Sequence, residues 1–161
     1  MRVENMRNQI TERSINMKIY EHSENTIIAS GSILDQVHNI SVELEINIDT
    51  LEIIRAEGQS VKVPFPVCKE AIFNLQSIIG QKLNAGISNE LAKRLGGKNG
   101  CIHLSEVTIE TARLAANVIF GLRCGGKEWR AGTLSDDDFW QRVKPMLRGT
   151  CMVFKNDDPE C

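Results

Sequence analysis

The chain is poor in the features that announce an activity. Aromatic residues make up 5% of its 161 positions, too few for the stacking platforms of proteins that hold single-stranded nucleic acid. Neither sign of charge dominates: 19 lysines and arginines against 21 aspartates and glutamates leave a formal charge of −2. The basic residues are scattered, so nucleic acid and anionic membranes are not expected partners. No apolar run approaches the ~18 residues of a membrane span, and Met1 to Asn16 is too polar for a secretory leader. A phosphate loop is missing too. The nearest glycine cluster lacks both the Gly-Lys-Ser or Gly-Lys-Thr ending and a preceding strand, which argues against a bound nucleotide. Cys-x-x-Cys, His-Glu-x-x-His and paired zinc-finger spacings do not occur. The five cysteines, an odd number, read as reduced thiols or ligands rather than a disulfide framework, and the expected compartment is the cytoplasm.

What is present suits one globular domain with a real core, at 42% hydrophobic and 25% charged residues. That domain is expected over 16–155, after a flexible N-terminal arm at 1–15 and before a short tail at 156–161. From Asn16 the chain turns β-like. Met17 to Glu21 and Thr26 to Leu34 flank the turn residues Ser23, Glu24 and Asn25 and predict a hairpin. The clearest strand follows Asp35-Gln-Val-His38: Val42, Leu44, Ile46 and Ile48 alternate with Glu43, Glu45 and Asn47, one face buried and one wet. After Asp49 and Thr50 a further strand runs from Leu51 to Ala56. The polar face argues for an antiparallel meander.

Beyond Pro64 the period becomes helical. Ala71, Ile72, Leu75, Ile78 and Ile79 recur at helix spacing behind Pro66, placing Cys68 in a first turn where the helix dipole favours thiolate. A short helix is expected over Ser88 to Leu95, with Ser88 as N-cap and Gly96 beyond its end. A long one should start after Ser105, with a stripe of Val107, Leu114, Val118 and Leu122 widened by Thr111, Ala115 and Ile119, and end near Arg123 to Gly126. Ser135 to Asp138 open an acidic first turn before Phe139, Trp140, Val143 and Met146, and Pro145 should end or kink that helix. Gly149 to Phe154 reads as β-like. The fold class is therefore α+β, a meander of three to four strands packed by helices.

Candidate chemistry centres on Gly96 to Glu106, where Cys101 and His103 stand two residues apart behind a loop that Gly96, Gly97 and Gly100 make permissive. His38, Cys68 and Cys151 complete a dispersed set. Thiolate and imidazole suit zinc or iron and serve magnesium or calcium poorly. Each member also has a plain packing role: His38 as an exposed turn residue, Cys151 as a buried strand residue, Cys68 as a small hydrophobe. Cys124 and Cys161 read as structural or incidental.

Two resemblances add to this. Phe65-Pro66-Val67-Cys68, then Leu95-Gly96-Gly97 with Gly100-Cys101-Ile102-His103-Leu104, resembles a bacterial domain family of unassigned function over roughly Gly31 to Phe154, including Val37-His38-Asn39 and Gly149-Thr150-Cys151. More distantly, the order of strands, cysteine at a helix start, and a Cys/His pair before a long helix is similar to iron-sulfur scaffold proteins of the NifU and IscU type. That resemblance implies a NifU/IscU-like fold and a zinc or iron-sulfur site of His38, Cys68, Cys101 and His103, with Cys151 as a possible extra ligand. Ile40 stands where the scaffold's aspartate would be, and the Leu-Pro-Pro-Val-Lys chaperone motif is absent. Three functions are thus open: a metal-binding accessory or scaffold protein serving a protein client or enzyme, a cysteine enzyme with Cys68 or Cys101 as nucleophile and His103 as base, or a non-catalytic interaction domain.

Overall fold

The alternation of apolar and polar residues becomes four antiparallel strands in the computed structural model, which describes residues 8–155. These are β1 (Arg13–Glu21), β2 (Thr26–Asp35), β3 (Asn39–Asn47) and β4 (Ile53–Lys62), paired in the order β1-β2-β3-β4. Strand β1 starts three residues earlier than the sequence suggests, and its first residue, Arg13, lies directly across from Asp35. The expected arm at 1–15 thus gives up its last three residues to the sheet; Met1 to Arg7 and the tail at 156–161 lie outside the described residues.

One face of the sheet carries the core. Ile27, Ala29 and Ile33 from β2, Ile40, Val42, Leu44 and Ile46 from β3, and Ile53 and Ala56 from β4 are all buried. Ile48 was expected on this face, but β3 ends at Asn47 and Ile48 is half-buried, while Ile40 fills the other end. On the wet face Arg55 reaches Glu43, Glu45 and Glu57 at 2.8, 3.2 and 2.7 Å. Glu43 and Glu57 are cross-strand partners, and the guanidinium between them relieves a like-charge repulsion that would otherwise destabilise the pair.

Pro66–Ile78 is helical, as its apolar period indicates, but winds as a 3₁₀ segment, with Phe65 extended before it and proline in the first turn. Ala71, Leu75 and Ile78 are its buried positions. Helix α1 (Ile87–Leu95) begins after Gly86, whose left-handed φ of 95° makes it the cap in place of Ser88. Helix α2 (Ile102–Arg123) starts three residues before the expected cap, so Ser105 is a buried helical residue. Its buried residues up to Ala116 are Leu104, Ser105, Val107, Thr108, Thr111, Ala112 and Ala115, whereas Leu114 and Val118 are only half-buried. The apolar stripe is thus rotated from the expected one. Two threonines can line the buried face because each hydroxyl donates to the carbonyl four residues back, Thr108 to Leu104 at 2.7 Å and Thr111 to Val107 at 2.6 Å. Opposite them, a Cβ on Gly31 would fall 1.9 Å from Thr111 Oγ1, so only glycine lets α2 approach β2 this closely.

The chain forms two compact units, Met1–Ala116 and Asn117–Cys161, divided within α2. The second also contains α3 (Gly126–Arg130), which the sequence did not announce, and α4 (Asp136–Leu147). Cys124, Phe139 and Val143 form its core with Phe120, Leu134 and Leu147, in keeping with a structural Cys124. Ser135 caps α4 by accepting from the Asp138 amide at 3.1 Å, and the helix closes two residues after Pro145. Gly149 to Phe154 is a set of turns rather than a strand, since Gly149 takes a left-handed φ of 73° and its amide donates to the Phe154 carbonyl at 2.6 Å. Among the described residues no helix is long and apolar enough to cross a membrane.

Candidate functional site

Two sequence-distant histidines meet in the first unit. His38 closes the connection between β2 and β3, and His103 is the second residue of α2. Their ring centroids are 3.8 Å apart, the planes tilted by 38°. His38 is not an exposed turn residue: it is 6% exposed, while His103 remains half-buried.

Asp35 organises the His38 side. As the first residue of an Asx turn its Oδ1 accepts the amides of Val37 at 2.9 Å and His38 at 2.8 Å. The same oxygen lies 3.0 Å from His38 Nδ1. Across the hairpin Arg13 grips the other oxygen, Nε at 2.8 Å and Nη2 at 2.7 Å from Oδ2, two charge-assisted bonds to a single carboxylate oxygen. The Val37 amide first, then Arg13 and the His38 amide and ring, hold the Asp35 carboxyl well below the usual carboxylate range, although burial opposes them. An ionised Asp35 can only accept, so His38 Nδ1 carries the hydrogen and Nε2 is the atom at which this ring exchanges a proton.

The His103 side is set by a tight entry into α2. The Cys101 amide donates to the Leu95 carbonyl at 2.8 Å, and a Cβ on Gly100 would lie 2.1 Å from that same oxygen. Glycine at 100 is therefore what lets α2 begin immediately after Cys101 and present His103. Burial, then the electrostatic influence of neighbouring His38 and Arg13, push the His103 imidazole below its ordinary value, against weaker opposite influences from Glu106 and Asp35. Glu106, one turn along α2, lies 3.4 Å from Arg13, so Arg13 ties β1 to both the β2–β3 connection and α2.

Of the expected residues, the structure brings His38 and His103 into contact. Cys68 lies in the first turn of the 3₁₀ segment and Cys101 at the threshold of α2; both are half-buried. Cys151 belongs to the second unit and is exposed, not a buried strand residue; Cys161 lies outside the described residues. Among the described residues no three His, Cys, Asp or Glu side chains are grouped so as to hold a metal ion, so no four-ligand set is assembled in advance. Sequence reasoning passed over Arg13, Asp35 and Glu106. The spacing Asp35-x-x-His38, an aspartate opening a turn that ends on histidine, was the available signal; Arg13 offered none without the strand register.

Residues 20–117 match a family described as protein of unknown function (DUF2889). The match takes in the sheet from the end of β1, the 3₁₀ segment, α1 and the first part of α2, and with them Asp35, His38, Cys68, Cys101, His103 and Glu106. No curated protein and no solved structure matches the chain, so these comparisons add no support to the iron-sulfur scaffold resemblance.

Proposed function

We propose that this chain, which belongs to the DUF2889 family of proteins of unknown function, works through an acid–base site formed by His38 and His103. The observation that carries the reading is the contact of the two imidazoles at 3.8 Å with Asp35 holding His38 Nδ1. His103 is the half-exposed member and the one that meets a reacting group. Its lowered proton affinity keeps it neutral near pH 7, the form that removes a proton or activates water. His38 and Asp35 stand behind it as positioning residues. When His103 takes up a proton, Asp35 and Glu106 supply the neighbouring negative charge that favours the imidazolium.

A second reading keeps the sequence-based expectation of a metal-binding accessory protein. In its favour is that a carboxylate on Nδ1 is how a metal-ligating imidazole is usually oriented. Zinc would then take His38 Nε2 and His103, with its other positions filled from outside the pair; an iron-sulfur cluster would in addition need thiolates such as Cys68 and Cys101.

Hydrolysis of 4-nitrophenyl acetate separates these readings and the cysteine alternative. Acid–base work at His103 predicts a protein-dependent rate that falls about tenfold to a hundredfold in His103→Ala and less in His38→Ala. The rate persists in Cys68→Ser and Cys101→Ser and needs no added metal. A rate abolished by either cysteine variant and untouched by His103→Ala assigns the reaction to a thiol and overturns the proposal. A rate that appears only with added zinc, with stoichiometric zinc binding lost in His103→Ala, establishes the metal reading instead.

A further inference from the structure

The second unit holds a cavity of about 500 Å³ lined by Asp137, Trp140, Gln141, Lys144, Val153 and Phe154. That volume lies within the ~300–1,000 Å³ typical of small-molecule sites. Its floor is one face of α4, since positions 137, 140, 141 and 144 follow the three- and four-residue spacing that stacks side chains on a helix. Its wall is the segment after α4, shaped by hydrogen bonds from the Thr150 amide to the Leu147 carbonyl at 2.9 Å and from the Phe154 amide to the Cys151 carbonyl at 3.1 Å. Trp140 is held edge-on against Phe139, with centroids 5.7 Å apart, and Phe139 is stacked on Trp129 at 4.5 Å. The indole is therefore buttressed from behind, yet it is 41% exposed. A large aromatic surface fixed in place and left uncovered is a stacking platform.

We propose that this cavity binds a planar aromatic carboxylate that carries a hydroxyl at its far end. Trp140, Val153 and Phe154 supply the apolar walls for the ring system. Lys144 and Asp137 stand two helical turns apart, ~10 Å along the axis, so the pocket has a cationic end and an anionic end. The ammonium of Lys144 pairs with the carboxylate, and Asp137 accepts from the distal hydroxyl. A ligand with both groups satisfies both ends, whereas one with a single polar group leaves one end uncompensated. The cavity lies outside the stretch matched by the family and is independent of the histidine pair.

The test is fluorescence titration with 6-hydroxy-2-naphthoate, alongside 2-naphthol, which lacks the carboxylate. Wild type is expected to bind the acid saturably and more tightly than the naphthol. Lys144→Met should weaken the acid about tenfold, the scale of one charge-assisted hydrogen bond, and leave the naphthol unchanged. Trp140→Ala should weaken both. Far-UV circular dichroism checks that the variants keep their helices. No saturation, equal affinity for acid and naphthol, or an acid affinity indifferent to Lys144→Met would overturn the proposal.

Discussion

Leu44→Asp is expected to destabilise the protein by about 4 kcal/mol or more. Leu44 is fully buried at the centre of β3, flanked across the sheet by Ala29 and Ala56, both also fully buried. A carboxylate there meets neither water nor a cation, and it either ionises at great cost or stays protonated with its polar atoms unsatisfied. Burial of the remaining alternate positions, Ile40, Val42 and Ile46, means that no slip by two residues relieves the strand, while a slip by one turns the whole apolar set to the wet face. Urea unfolding followed by circular dichroism measures the effect as a lowered midpoint. A variant that unfolds with wild type would show that β3 is not paired in this register.

The second large effect is expected at Gly31. Replacing it with alanine puts a methyl 1.9 Å from Thr111 Oγ1 and 3.2 Å from both Thr111 Cβ and Val107 Cγ2. Thr111 cannot swing away freely, because it is fully buried and its hydroxyl is tied to the Val107 carbonyl at 2.6 Å. Either α2 lifts from the sheet or the threonine gives up that bond, at about 3 kcal/mol. Thr111→Ala removes the nearest atom and leaves the 3.2 Å contacts. The double variant should therefore be more stable than Gly31→Ala alone, a coupling that a double-mutant cycle isolates. Additive losses would place the helix elsewhere on the sheet. Since His103 rides on the first turn of α2, a lifted helix should also disturb the histidine pair.

The same two positions show what could be read from the sequence and what could not. Strict alternation from Val42 to Ile46 announced β3 and its buried face because the two-residue period of a strand leaves only two choices of face. The long helix was equally visible, but its orientation was not. Leu114 and Val118 are the obvious apolar residues, yet Thr108, left off the expected stripe, and Thr111, placed only at its edge, lie deeper, and nothing in residue type shows that a threonine will satisfy its hydroxyl on its own helix. The 3₁₀ winding of Pro66–Ile78 has the same cause in reverse: apolar spacing fixes which residues are buried, not whether bonds run three or four residues back.

The candidate site was half legible. His38 and His103 stood out as histidines at junctions between loops and regular elements, and the structure joins them. Arg13 was hidden in a polar stretch without a period, and its meeting with Asp35 depends on a hairpin register extending three residues further than the apolar pattern. Asp35 stood unassigned ahead of the clearest strand; that its carboxylate both opens an Asx turn and holds a histidine ring could not be read without the turn's geometry.

The central claim is that His103 is a neutral imidazole poised against an Asp35-held His38, and it is tested most directly by an NMR pH titration of the histidine rings. The chain has three histidines, so the His103 signal can be assigned by its loss in His103→Gln. The account predicts that this ring titrates below the ordinary value of about 6.5. It also predicts that Arg13→Gln, which removes a positive neighbour, moves the titration upward. In addition, the nitrogen shifts of His38 should show the hydrogen on Nδ1. A His103 ring that titrates at or above 6.5, or a His38 ring carrying its hydrogen on Nε2, would contradict it.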